Sequence, residues 1–352
     1  MEARRMKKHP MRVLALQFAA VICMCTLTSG CLLQTSSESE SHMRQIKIGM
    51  TLYRQDDTFI STIQKHMEAI VKSKEATENL KIVLNVMDGK GNQGIQNDQV
   101  DKFLSQGYDV ICVNEVDRTA ASVIIDKAKS ANIPIVFFNR EPVEEDLQRW
   151  DKVYYVGSDA REAGIMQGQI VADAYHFDPQ KIDRNGDGKL QYVMLEGEPG
   201  HQDALIRTEY SVKEVTKAGI QVEKLANETA NWQRSQALGK MAQWIDKFGG
   251  RIEVIFCNND DMALGVIDAY SAAEIRDLPV IVGIDTTPPA IEAIKNGTLT
   301  GSVLNDAKGQ AEAIFDIAYA LATGTDPQES IPQLEGHYVW VPQKIFTLDD
   351  IS

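Results

Sequence analysis

Residues 183–191 read Asp183-Arg184-Asn185-Gly186-Asp187-Gly188-Lys189-Leu190-Gln191. Oxygen-bearing side chains fall at the first, third, fifth and ninth positions, a glycine at the sixth, and the backbone carbonyl of Lys189 at the seventh. Calcium loops present ligands to a hard divalent cation in this order. The Lys189 side chain is harmless there, because its carbonyl is the ligand and the ammonium can turn to water. The twelfth position should be glutamate, but Met194 stands there inside the next apolar run. The loop therefore needs a bidentate carboxylate from elsewhere, or it is an Asp/Asn/Gly-rich turn without metal. A strand follows it, so a permanently bound structural Ca²⁺ is expected rather than a helix-loop-helix switch.

A second group lies in GEPGHQDALIRTEY, where His201, Asp203 and Arg207 fall within seven residues at a strand-to-helix junction. Asp203 and Arg207 are four apart and can share a helical face. An arginine fork held by a carboxylate suits adjacent hydroxyls, although the same pair also fits a plain salt bridge at a helix start. Trp232 stands in a loop before a helix, and Phe59 follows Asp57 closely. Two aromatics can cover the apolar C–H faces of a pyranose while polar groups take its hydroxyls. Each alone also fits a place in a core.

The elements that must position these residues alternate. Apolar β-rich runs occur at 46–53, 81–87, 109–116, 134–140, 152–159, 192–197, 252–259, 280–285 and 301–306, with amphipathic helical stretches between them. Near-continuous Val/Ile runs alternating with helices predict parallel sheets covered on both faces. So many units exceed one ordinary open sheet, which predicts two α/β domains, each a doubly wound parallel sheet. Beyond the strand cores stand Asp57, Asn114, Asn139, Asp159, Glu196 leading to His201, Asn259, Asp285 and Asn305. Ligands of open α/β sheets bind outside the carboxyl ends of the strands. A ring of Asp and Asn there offers paired donors and acceptors with little positive charge, which fits a neutral polyhydroxyl ligand. Individually such residues are also ordinary turn formers and helix caps. No GxxxxGK[ST] or GxGxxG follows a strand, which argues against phosphate.

The 352-residue chain carries a formal charge of −14, from 36 basic and 50 acidic residues. Without a large basic block, nucleic acid is an unsuitable partner. Residues 1–30 hold five of the basic residues and one acid, so the remainder carries 31 against 49, or −18. A basic cluster (Arg4 to Arg12), a short apolar run (Val13 to Leu27) and Thr28-Ser29-Gly30-Cys31 form the pattern of an export signal. Small residues before a cysteine resemble a bacterial lipobox, with Leu27 one place earlier than usual. Cys31 is thus expected to carry a lipid anchor, and residues 31–44 a Ser/Glu-rich tether. Cys112 and Cys257 lie in apolar strand-like runs and are expected as packing residues, not a disulfide.

The motifs Tyr53-Arg-Gln-Asp-Asp57-Thr-Phe59, Val136-Phe-Phe-Asn-Arg-Glu-Pro142, Tyr154-Tyr-Val-Gly157, Gly197-Glu-Pro-Gly-His201, Asn258-Asn-Asp260, Gly283-Ile-Asp285 and Val303-Leu-Asn-Asp306 resemble the bacterial D-galactose/D-glucose-binding proteins, periplasmic receptors of sugar ABC transporters. The resemblance covers nearly all of 45–350. It implies a type I periplasmic-binding fold, two lobes joined by three hinge crossings, with 45–133 and 305–340 in one lobe and 134–304 and 341–352 in the other. It implies that Asp57, Asn114, His201, Asp203, Arg207, Asn259, Asp285 and Asn305 hydrogen-bond the sugar between Phe59 and Trp232. It also implies calcium at Asp183, Asn185, Asp187, the Lys189 carbonyl and Gln191, completed by Glu253. Gln202 departs from the proline of other members. The expected protein is a monomeric, membrane-anchored receptor that closes over galactose or glucose and delivers it to a permease. Alternatives are a sensor subunit presenting hexose to a chemoreceptor or histidine kinase, a sugar-responsive repressor core, and a glycosidase. The export signal and the lack of an N-terminal helix-turn-helix argue against the repressor. Fixed Asp–hydroxyl bonds need no raised carboxylate pKa, which argues against the glycosidase.

Overall fold

The computed structural model describes residues 44–351. The export signal, Cys31 and all of the tether but its last residue lie outside them. The chain first forms β1 (Arg44–Leu52), β2 (Leu80–Asp88), β3 (Val110–Val113), β4 (Ile135–Phe138) and β5 (Val153–Gly157). Between these lie α1 (Thr58–Thr77), α2 (Gln93–Ser105), α3 (Ala121–Ala131) and α4 (Glu144–Leu147). A second series follows, β6 (Lys189–Glu196), β7 (Gln221–Thr229), β8 (Val254–Cys257), β9 (Val280–Asp285) and β10 (Gly301–Asn305). Its helices are α5 (Ala160–Phe177), α6 (Pro179–Ile182), α7 (Gln202–Lys217), α8 (Arg234–Phe248), α9 (Asp260–Ala272) and α10 (Pro288–Lys295). The chain ends with α11 (Ala307–Thr323), α12 (Pro327–Ser330), β11 (Leu334–Glu335), β12 (Tyr338–Trp340) and β13 (Gln343–Phe346).

Two sheets result, ordered β11-β12-β5-β4-β3-β1-β2 and β13-β10-β9-β8-β6-β7. All neighbours are parallel except β11–β12 and β10–β13. Strand residues alternate between two apolar layers, one on each face of a sheet. Val110 and Cys112 join Ile60, Ile63 and Phe315 on one face, while Ile111 and Val113 join Ile124, Ile125 and Phe137 on the other. In the second lobe Leu195 and Ile255 pack with Trp244, and Met194 and Phe256 with Val171. Covering both faces leaves the strand tips as the place where backbone and polar side chains meet solvent or a ligand. In α5, Gly164 and Gly168 let α7 approach closely: a Cβ on Gly168 would lie 2.4 Å from the Ser211 carbonyl oxygen.

The chain passes between the sheets three times: after β5, after β10, and between β12 and β13. The first passage differs from the expected cut at 133/134. β4 pairs with β3 through Ile111–Ile135 and with β5 through Phe138–Val156, so 134–157 belong to the first lobe. The βα alternation looks the same on either side of a crossing, and only strand pairing reveals it. β7 also lay outside the nine apolar runs. It is an edge strand of sequence QVEKLANET with no buried residue, so it lacks the continuous apolar signal. The short β11, β12 and β13 were not expected either. Cys112 and Cys257 are free and buried, on β3 and β8 of different sheets.

A candidate ligand cleft between the lobes

A narrow cavity opens between the strand tips of the two lobes. Eight of the ten expected sugar contacts line it: Asp57, Phe59, His201, Asp203, Arg207, Trp232, Asn259 and Asp285. Tyr53, Ile60, Asn139 and Arg140 complete the wall. Asn139 had been noted as a strand-end residue. Tyr53 and Arg140 stood only inside longer motifs, without a signal of their own.

Capping and lining turn out to be compatible roles. Asp57 caps α1 by accepting the Ile60 N–H through Oδ1 at 2.9 Å, while Oδ2 accepts the Tyr53 hydroxyl at 2.5 Å. Asn259 caps α9, accepting the Met262 N–H at 3.1 Å. Its Nδ2 donates to the Trp232 carbonyl at 3.4 Å. His201 caps α7 through Nδ1, which accepts the Asp203 N–H at 3.2 Å. The cap fixes the tautomer: Nδ1 is the acceptor, so Nε2 carries the proton. Burial first, then the charges of Arg140, Arg207 and Arg118, holds the imidazole pKa well below its usual value, so His201 is neutral. Asp159, by contrast, is an exposed cap of α5 and takes no part in the cavity.

Arg207 donates through Nη1 to the Asn258 carbonyl at 3.0 Å and through Nη2 to Asp203 at 3.2 Å. Its Nε is buried and has no protein partner. A buried, unpaired charged donor is costly unless a ligand accepts from it. Burial raises the Asp203 carboxyl, opposed by Arg207. Burial likewise pushes Asp285 well up, again opposed by Arg207.

Trp232 and Phe59 face the cavity from different lobes and are 8% and 6% exposed. The His201 ring meets Trp232 edge-on, at 5.1 Å between centroids. Trp232 has φ 62°, as do Asn139 with φ 62°, Asn231 with φ 51°, Thr286 with φ 53° and Asp285 with φ 118° in the positive region. Such strain persists only where the surroundings over-determine it, and Asn139, Trp232 and Asp285 carry it on the cavity wall.

Asn114 and Asn305 stand apart from the lining. Asn114 Oδ1 accepts the Tyr53 N–H at 3.3 Å, and Nδ2 donates to the Phe138 carbonyl and to Asn139 Oδ1, each at 3.2 Å. Asn305 donates to Asp285 Oδ1 at 3.2 Å. In this structure both support cavity residues rather than form the wall.

Three side-chain contacts join the lobes across the cleft. Thr58 Oγ1 donates to Asp261 Oδ2 at 2.7 Å. The Arg140 guanidinium stands 2.7 Å from Glu198 and lies 3.6 Å above the Tyr53 ring centroid. Gln202, the departure from proline, donates to Glu141 Oε2 at 2.9 Å.

The loop at 183–191 is drawn together by its own side chains. Asp183 accepts N–H groups of Gly186, Asp187 and Gly188, and Asp187 accepts that of Lys189. Asn185 Nδ2 donates to Gln191 Oε1 at 2.7 Å, and Gln191 Nε2 to Asp187 at 3.0 Å. Glu253, 1% exposed, accepts the N–H groups of Arg184, Asn185 and Gln191 from beneath. Burial raises its carboxyl, and Asp183 adds to the effect. Among the described residues no group of three or more His, Cys, Asp or Glu could hold a metal ion, so any cation here depends on amide and carbonyl oxygens as well.

Residues 48–326 match the model of the periplasmic binding protein domain. The chain is 40% identical over 308 residues to the D-galactose/methyl-galactoside binding periplasmic protein MglB of Haemophilus influenzae, covering 87% of this chain and 91% of that one. It is 31% identical to a putative rhizopine-binding protein of Rhizobium meliloti, covering 87% and 92%. An ABC transporter solute-binding protein of Bacillus halodurans, solved with bound myo-inositol, superposes with a TM-score of 0.72 at 28% identity, covering 88% and 97%. With two lobes, three crossings and a polar interlobe cavity, this chain belongs to the periplasmic binding protein family, whose members are solute-binding receptors and not enzymes.

Proposed function

We propose that the protein is an exported receptor of an ABC importer that captures D-galactose or D-glucose by lobe closure. One observation carries this reading. A small cavity is lined by Asp57, His201, Asp203, Arg207, Asn259 and Asp285, with Phe59 from one lobe and Trp232 from the other. Carboxylates and the Asn259 carbonyl accept from hydroxyls. Arg207 and the neutral imidazole donate to them. The aromatic side chains supply apolar surface for the C–H faces. A pyranose bridging both lobes favours the closed arrangement by its differential contacts. A permease recognises that closed form, and Cys31 anchors the receptor to the membrane. The galactoside-binding relative supports the hexose assignment, and the inositol-binding neighbour names the competing ligand class. Calorimetry with galactose, glucose, ribose, arabinose and myo-inositol tests it. Tight binding of the two hexoses and weak binding of the pentoses is expected. Preference for a pentose or for inositol overturns the hexose reading.

The residues of the 183–191 loop fit a calcium ion. Asp183, Asn185, Asp187, Gln191, the Lys189 carbonyl and Glu253 would hold it through oxygen alone, as this hard cation requires. The acids Asp183 and Asp187 beside buried Glu253 make a charge that a divalent cation offsets. Turning the Asn185 and Gln191 amides would aim their oxygens inward. The ion's role is to pin the loop beneath β6.

A further inference from the structure

Two of the three crossings contribute a polar side chain, and the third a backbone carbonyl, to one cluster. Ser158 follows β5, Asn305 ends β10, and Gln343 opens β13 opposite Asn305 in the antiparallel register. Ser158 Oγ donates to the Val341 carbonyl at 2.9 Å, joining the first crossing to the third. The Val341 N–H donates to the Gly157 carbonyl at 2.7 Å. Gln310, on the first turn of α11, is 1% exposed and occupies the centre. Its Nε2 donates to Asn305 Oδ1 at 2.7 Å and lies 3.3 Å from Ser158 Oγ, spending both amide hydrogens.

The amides run in one direction here, from Gln310 through Asn305 to Asp285. Because Gln310 donates to Oδ1 of Asn305, the Asn305 NH₂ must face Asp285, to which it donates at 3.2 Å. No other protein donor satisfies Asn305 Oδ1 among the side-chain bonds of the described residues. Asp285 itself holds a strained backbone, φ 118°, on the cavity wall. It therefore depends on its neighbours for a defined orientation.

We propose that Gln310 is a positioning residue: by orienting Asn305 it fixes the Asp285 carboxylate in the ligand cavity, and through Ser158 it couples that orientation to the hinge crossings. The assignment rests on the receptor reading for its ligand, but the relay exists without one. It gives Gln310, a helix residue that touches no part of the cavity wall, a direct influence on ligand affinity.

Two variants of the full-length protein test it. Gln310→Met keeps the volume and removes the donor. Gln310→Glu keeps the shape and reverses the polarity, so that Asn305 is drawn to turn its NH₂ toward residue 310. Two readouts are taken on folded protein of near-native melting temperature: galactose and glucose affinity by calorimetry, and titration of the Asp285 carboxyl by ¹³C NMR without sugar. The expected result is an affinity loss of about tenfold, the scale of a charge-assisted hydrogen bond, together with a higher Asp285 titration midpoint. If Gln310→Met does not fold, Gln310→Glu is read in the same way. Unchanged affinity with an unchanged midpoint overturns the proposal, as does lost affinity with an unchanged midpoint. If the wild-type protein binds neither hexose, the receptor reading fails and the Asp285 titration alone decides the relay.

Discussion

Trp232 owes its place to what opposes it. A Cβ added at Gly197 would lie 2.0 Å from the Trp232 ring, so only glycine leaves room for the indole. Trp232→Ala should weaken hexose binding by roughly 1–3 kcal/mol, the scale of burying an aromatic face, and Gly197→Ala should weaken it by displacing the ring. Full affinity in both, by calorimetry, would mean the indole does not touch the ligand. Asp260 governs a pH effect. It lies under the cavity floor, accepting Ser302 Oγ and the Thr287 N–H, each at 2.7 Å. Burial pushes its carboxyl from 3.8 up to about 7. Between those values the native state holds a proton that the unfolded chain has released. Stability from this group is therefore greatest below about pH 4 and is lost as pH rises toward 7. Asp285 acts with the same sign. His201, with a depressed pKa, acts oppositely, costing stability as pH falls below 6.5. Asp260→Asn should raise the melting temperature at pH 7.5 relative to that at pH 5, compared with wild type. An unchanged difference would contradict the buried proton.

Helix caps and loops are where sequence patterns and site geometry meet. Asp57, His201 and Asn259 all cap helices that begin at strand tips, and the cap sets which atom remains for a ligand. The loop at 183–191 is likewise an element-scale feature, a turn between α6 and β6 closed from below by Glu253. EGTA should lower the melting temperature by several degrees, and Glu253→Gln should blunt that shift, since a ligand held only by the native state stabilises it. No shift on chelation, with metal analysis also blank, would remove the calcium assignment. The loop's spacing and the Asp203–Arg207 pair were readable because they are local. Edge strand β7 was not, because half-exposed strands carry no continuous apolar run.

At the scale of the molecule, side-chain contacts brace the two lobes against each other. Thr58–Asp261, Arg140–Glu198 and Gln202–Glu141 tie one lobe to the other. Contacts present only in the closed arrangement shift the population toward it and so raise apparent affinity. Asp261→Ala removes one net hydrogen bond of about 1 kcal/mol. Hexose affinity should fall about fivefold, with a larger radius of gyration for the sugar-free protein by small-angle scattering. Equal affinity and equal radius would show that the bond does not favour closure.

The sequence alone determined what is periodic or local: the alternation of apolar strands with helices, the spacing of oxygen-bearing residues at 183–191, the strand-end acids and amides, and the basic-then-apolar pattern of residues 1–30. Period and spacing depend on neighbours within a few residues, so they survive without a fold. Tertiary structure decided what depends on pairing. It moved the first crossing from 133 to beyond Gly157, because β4 and β5 pair with β3. It brought Tyr53 and Arg140 into the cavity wall. It also spent Asn114 and Asn305 on supporting bonds, since an amide at a strand tip takes whichever partner the opposing strand or helix brings within reach.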